Sequence, residues 1–411
     1  MNILSSPFKN PVRFVILVAS LGYFVDIYDL LLFGIIRMPS LKSLGLSGDE
    51  LMLNGETILK WQMFGLLIGG IVWGVMGVKK GRLSVLFGSI LLYSLANIAN
   101  GFVQTVEQYK WVRFIAGIGL AGELGAGITL VAEMVSKEKR GIATSIVAGI
   151  GLSGAVFAFI IKQNFEWRIC YFIGGGMGFL LLLLRLSVYE SGIFQNIKAT
   201  DIQRGNFFLL FSKKERFKRY LNNILIGLPT WLIIGVLVTF SNEFGKQMGI
   251  KETIDPGKAI MFAYVMISIG DLSVGFISNW LKSRKKALYL FFGITVLFII
   301  LYFTALWNGT AAGMYMVCAG LGLGTGYWAI FVTMGAEEFG TNLRATAATT
   351  IPNMVRGLLA VLILPLFKFL RDYFSYFNAG LITSIIIMLI GIIALVNIKE
   401  TFGKELDFVE E

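Results

Sequence analysis

Asp26 and Asp29 stand three residues apart in an apolar stretch of a 411-residue chain that contains no histidine. That spacing puts both carboxylates on one face of a helix. Two acids held close in a low-dielectric setting resist ionising together, so one of them keeps a transferable proton near neutral pH. With no imidazole available, any proton-handling step falls to carboxylates. Glu123, among Gly117, Gly119, Gly122, Gly125 and Gly127, is a third acid in apolar surroundings. Asp26, Asp29 and Glu123 are therefore the expected proton-coupling residues. Arg113 and Arg356 are cations in equally apolar runs. Arg113 precedes Glu123 by ten residues, roughly 15 Å of helix. This brings Glu123 near mid-depth and leaves Arg113 level with the acids of the first helix. Both arginines are expected to hold an anionic substrate, with a fixed Arg113–Asp pair as the alternative. Tyr28, Gln62, Asn353, Tyr327 and Trp328 are the polar and aromatic side chains expected to line the same site. Arg37 and Lys60 fall at outer span ends, where long cationic side chains snorkel to headgroups.

These residues need elements that can hold them. Charged residues make up 15% of the chain and hydrophobic ones 56%, with a mean hydropathy of +0.75. Soluble domains carry about 25% charged residues, so this composition excludes one. Apolar runs long enough to cross a bilayer as helices follow one another throughout. They fall at 12–37, 57–78, 84–104, 108–132, 141–163, 167–188, 221–242, 258–280, 287–307, 310–335, 345–369 and 374–397. The short alternating segments of a membrane barrel are absent. A charge at the bilayer centre costs at least ~2.5–3.5 kcal/mol, so each intramembrane charge needs a partner or a task. The net charge of +11 collects in alternate loops. That places both termini and the middle loop in the cytoplasm, facing anionic lipid, and argues against nucleic acid as a partner. Cys170 and Cys318 lie inside apolar runs, so no disulfide, metal site or cofactor is expected. No nucleophile–base–acid constellation is present, which argues against an enzyme.

Two markers repeat. Glu133, six residues, then Arg140-Gly141 recurs 204 residues later as Glu337, six residues, then Arg344-Ala345. A glycine and a basic cluster ending in Arg82 recur 202 residues later, ending in Arg284. Duplicated charged hinges between apolar runs are the mark of a secondary transporter built from two similar halves. The expected fold is an all-α membrane protein of twelve transmembrane helices, in two six-helix bundles related by a pseudo-two-fold axis. The bundles are expected at 1–190 and 221–411, joined by a cytoplasmic linker at 191–220 whose basic run is either a short amphipathic helix on the membrane surface or a solvated linker.

The loop Gly74-Val75-Met76-Gly77-Val78-Lys79-Lys80-Gly81-Arg82 resembles the loop motif of the major facilitator superfamily, with Val78 at its acidic position. The second copy runs from Gly275 to Arg284-Lys285, with Asn279 at that position. Glu133…Arg140 and Glu337…Arg344 resemble the superfamily's other gate motif. The resemblance implies that Gly74, Arg82, Glu133, Arg140, Asn279, Arg284, Glu337 and Arg344 form gates. Physically, an acid at a helix end and an arginine in the next loop make a latch or a static pair. Asp26-Ile27-Tyr28-Asp29 with Phe33-Gly34 resembles the first helix of the metabolite:proton symporter family, and the glycines around Glu123 resemble its fourth. Trp167-Arg168 and Glu190-Ser191 also match it, with Gly192 in place of a proline. The implied function is proton-coupled import of a small organic acid through a bacterial inner membrane, by a monomer. The alternatives are a proton-coupled exporter or a symporter for phosphate or sugar.

Overall fold

The computed structural model describes residues 11–123, 127, 130, 131, 134, 135, 140–185, 207–304, 309–404 and 408–410. In the first half the helices are α1 (Pro11–Ser43), α2 (Asp49–Lys79), α3 (Arg82–Asn100), α4 (Val106–Leu120), α5 (Arg140–Leu152), α6 (Gly154–Asn164) and α7 (Trp167–Arg185). In the second half they are α8 (Lys214–Leu232), α9 (Ser241–Gln247), α10 (Pro256–Trp280), α11 (Arg284–Thr304), α12 (Ala311–Thr325), α13 (Trp328–Glu337), α14 (Thr341–Leu358), α15 (Leu364–Arg371) and α16 (Tyr376–Asn397). Among the described residues ten helical segments are long and apolar enough to cross a membrane, and Ser84–Asn100 is a shorter apolar one. Each expected span coincides with one helix or one helix pair, and the fourth is described only to residue 123 and at a few positions beyond.

Within the first half α2 packs on α4, α3 on α7, and α1 on α5 and α6; within the second α10 packs on α12 and α8 on α16. The seam between the halves is α2 against α14 and α5 against α10. Close packing in lipid relies on small residues. A Cβ on Gly117 would strike the Gln62 carbonyl, and one on Gly65 would strike the Phe114 carbonyl, so the α2 and α4 backbones touch. Leu180, Leu183, Phe276, Trp280, Met316 and Ile393 face outward. Such an apolar surface is stable only against lipid.

Several spans are interrupted, and the sequence explains where. Pro229 cannot donate to the turn before it, and α8 passes into a π-helix at Ile233–Val238. A second π segment, Leu359–Ile363, joins α14 to α15 just before Pro365, whose ring crowds the carbonyl four residues back. The fourth span stops at Leu120 before a turn at Ala121-Gly122; the tenth stops at Thr325 before Gly326-Tyr327. Gly122 and Gly326 lie 204 residues apart, the same offset as the gate motifs. Of the basic stretch before residue 220, Lys213 immediately precedes α8 and Lys214 to Arg219 form its opening, with Arg216 buried.

Candidate functional site

Asp29 and Arg113 meet in the interior of the first bundle, both fully buried. Arg113 Nη1 donates to Asp29 Oδ1 at 2.9 Å and Nη2 to the Asp29 carbonyl at 3.0 Å. Arg113 Nε donates to Gln62 Oε1 at 3.3 Å, and Gln62 Nε2 donates to the Leu30 carbonyl. The Tyr171 ring lies 5.5 Å from the guanidinium. Asp29 thus makes the fixed cross-helix pair with Arg113 that the sequence allows as the alternative. Asp26 is fully buried one turn earlier on α1, and Glu123 is buried directly after the break in the fourth span. Tyr28 is placed away from the seam: its hydroxyl donates to the Cys170 carbonyl at 2.7 Å and its ring packs on Phe157. Tyr327 likewise stays inside its own bundle, donating to the Ile226 carbonyl and leaning on Phe292.

Arg356 stands at the seam. Its guanidinium lies between Trp231 and Trp328, 5.9 and 5.8 Å from the ring centres. Nη1 donates to Asn353 Oδ1 at 3.3 Å; Nε and the Trp328 indole N–H are buried with no hydrogen-bond partner. Among the described residues no carboxylate pairs with Arg356. A narrow cavity, with about 20 Å³ open to the centre of a water molecule, lies beside it, lined by Tyr23 and Ile27 of α1, Trp231 of α8, Tyr264 of α10, and Trp328. Asn353 reaches across the seam, donating to the Ala121 carbonyl at 2.7 Å. Arg356, Asn353 and Trp328 were expected at this site; Tyr23, Trp231 and Tyr264 were not, because their facing depends on how the halves dock.

A further acid went unread. Asp271 is fully buried in α10, and its Oδ1 accepts from the Ala329 N–H at 2.8 Å, capping α13 where the tenth span breaks. The signal was present, since Asp271 is the only acid in the run 258–280. Arg37 was expected at the membrane surface but is buried, because α1 continues to Ser43 and carries it about two turns inward. Its Nη2 reaches Glu243 at 3.4 Å across the seam.

Glu133 and the side chains of Arg82 and Arg140 lie outside the described residues. In the second half Glu337 of one motif pairs with Arg284 of the other. Arg284 Nη2 donates to Glu337 Oε1 at 3.2 Å and Nη1 to Ser278 at 3.1 Å, while Thr401 donates to Glu337 Oε2. The Arg284 guanidinium lies against Gly141 of the other half. Ser278, rather than Asn279, serves as the polar anchor. Gly74 offers its carbonyl to Thr346 at 3.1 Å, and Thr144 bonds Thr333 at 2.8 Å. Among the described residues, neutral hydrogen bonds join the halves at this basic end. The far end is held by ions: Arg37–Glu243, Lys162–Asp255 at 2.9 Å and Arg371–Glu56 at 3.2 Å all cross the seam.

Glu338 closes the basic end just beyond its span. Burial pushes its carboxyl up to about 7, while the amide donated by Asn223 and the charge of Arg219 pull it back. Its proton is therefore bound more tightly folded than unfolded. The stabilisation is complete below about pH 4.5 and is lost as pH rises through 7, up to about 3 kcal/mol. The unfolding temperature of the detergent-purified protein should fall from pH 5 to pH 8, and Glu338→Gln should flatten that slope. Parallel slopes in the two proteins would refute this assignment.

Two bundles of membrane helices enclosing buried charges at their seam define a multi-pass membrane carrier. The model of the Major Facilitator Superfamily matches residues 14–365, and the chain belongs to that family of transporters. A niacin transporter of Acinetobacter baylyi is 23% identical over 432 residues, covering 95% of each chain. A gentisate transporter of Corynebacterium glutamicum is 24% identical, covering 78% of this chain and 73% of its own. The solved structure of a proton:xylose symporter superposes with a TM-score of 0.73 at 15% identity, covering 97% of this chain and 98% of its own, and so shares the fold.

Proposed function

We propose that this transporter imports a small organic acid, specifically an aromatic carboxylate, by proton-coupled alternating access through a bacterial inner membrane. The observation that carries this reading is Arg356, buried between two tryptophans with Nε unpartnered and no acid of the described residues against it. A buried cation without a counter-charge is costly, and a substrate carboxylate supplies the missing charge through strong charge-assisted hydrogen bonds. Tyr23, Trp231, Tyr264 and Trp328 offer ring faces and edges to an aromatic body. Niacin and gentisate, named in two relatives, are both aromatic carboxylic acids. Basic loops favour the Arg284–Glu337 end and both termini as cytoplasmic. The far end, with its three ion pairs, is then the outer gate.

Proton coupling rests on Asp26, Asp29 and Glu123. A proton arriving on Asp29 removes the charge that holds Arg113, freeing α1 and α4 to shift against each other. The test is uptake of radiolabelled niacin, gentisate and aliphatic acids into proteoliposomes, with and without an inward proton gradient. The gradient should drive accumulation of an aromatic acid. Arg356→Ala should lower its initial rate about fiftyfold, the loss of a charged hydrogen bond worth about 2–3 kcal/mol. Transport of sugars or cations in place of carboxylates would sink the substrate class; gradient-independent uptake would sink the coupling.

A further inference from the structure

Arg37 has a second cavity beside it. The cavity is small, with about 20 Å³ open to the centre of a water molecule, and is lined by both halves: Leu30 and Arg37 of α1, Leu59 and Met63 of α2, Trp231 of α8 and Ile260 of α10. Its lining is apolar apart from the Arg37 guanidinium and the Thr239 hydroxyl. Arg37 is 1% exposed, with its face on the Phe240 ring at 4.7 Å. Nε and Nη1 are buried with no partner; only Nη2 is engaged, and its 3.4 Å contact with Glu243 is long for a charged hydrogen bond. Trp231 borders this cavity and also the Arg356 cavity. The two cationic pockets are therefore adjacent along the seam, separated by one indole.

We propose that Arg37 forms a second, outer anion site, where a substrate carboxylate binds in place of Glu243 before passing Trp231 to Arg356. The proposal rests on the carboxylate reading above. The chemistry is ligand exchange at one guanidinium: the incoming carboxylate accepts from Nε and Nη1, and Glu243 gives up Nη2. As the seam parts at this end, the apolar lining takes the body of the acid. Because Arg37–Glu243 is also one of the ion pairs of the outer gate, arrival of substrate weakens that gate directly.

The experiment is calorimetric titration of the purified protein with sodium nicotinate. In the Arg356→Ala background the inner site is disabled, and weak binding at Arg37 should remain. Adding Arg37→Gln should abolish it, Arg37→Lys should preserve much of it, and Glu243→Gln should tighten it about tenfold by removing the competing carboxylate. The opposite signs are decisive, since Arg37→Gln and Glu243→Gln delete the same ion pair. Shifts in one direction would mean that Arg37 only holds the gate, and would overturn the proposal, as would loss of all binding in Arg356→Ala. No binding to the wild type would overturn the aromatic-carboxylate reading, and the outer site with it.

Discussion

Asp29→Ala is expected to yield little folded protein and no transport, whereas Asp29→Asn should fold and fail only in proton-driven uptake. Arg113 is fully buried and meets no carboxylate other than Asp29 among its described partners. Deleting that carboxylate strands a cation in the bundle core, at a cost of about 3–5 kcal/mol. That is a large share of the stability of any domain. Asparagine keeps an oxygen for Nη1 and leaves the Asp29 carbonyl and Gln62 in place. It removes only the charge that a proton would neutralise. Arg113→Ala should be as damaging as Asp29→Ala, since it buries an unpaired carboxylate instead. The double variant should recover folding, because neither group is then orphaned, yet remain inactive. Thermal unfolding in detergent of the two single variants and the double closes the cycle. Single variants as stable as the wild type, or additive losses in the double, would refute a buried ion pair as the brace of this bundle.

How far the sequence foretold this site depends on what kind of information each residue required. The spans were legible because bilayer thickness demands long apolar runs. Asp29 and Arg113 were legible as partners because their cost in lipid forces a pairing and their depths matched. The 204-residue offset carried the internal symmetry, and it also links the helix breaks at Gly122 and Gly326. Arg37 was misplaced for a local reason. Its apolar run ends there, but Ser40, Lys42 and Ser43 continue the helix, so hydropathy set the boundary about two turns too early. Tyr23, Trp231 and Tyr264 were invisible because which face meets the cavity depends on the docking of the halves. The partnership of Glu337 with Arg284 joins residues 53 apart on different elements, which no single motif encodes. Asp271 was as legible as Asp26, since the same cost of burying a charge in lipid applies to both.

On the proposed orientation, neutralising the ion pairs at the far end of the seam should hold the transporter open to the outside. Among the described residues the two ends of the seam are joined by different chemistry. Thr144–Thr333, Thr346–Gly74 and Asn353–Ala121 at the inner end and mid-seam are neutral and buried. Arg37–Glu243, Lys162–Asp255 and Arg371–Glu56 at the outer end are charged, and two of the three are partly exposed. Partly exposed pairs are each worth about 0.2–1 kcal/mol. Together, with the more deeply buried Arg37, the three should contribute about 2 kcal/mol, or roughly thirtyfold in the population of the outward-open state. In the triple variant Glu56→Gln, Glu243→Gln, Asp255→Asn, a cysteine placed at Thr239, on the wall of the outer cavity, should react with an impermeant maleimide about thirtyfold faster than in the wild-type background. Salt supplies the control that separates gating from damage. Exposed pairs are screened within about 10 Å at 0.1 M salt, so the wild-type rate should climb with ionic strength while the variant's stays flat. A gate held by packing alone would leave both rates unchanged. A variant that had lost its fold would also expose Cys170 and Cys318, buried in the native protein, to the same reagent.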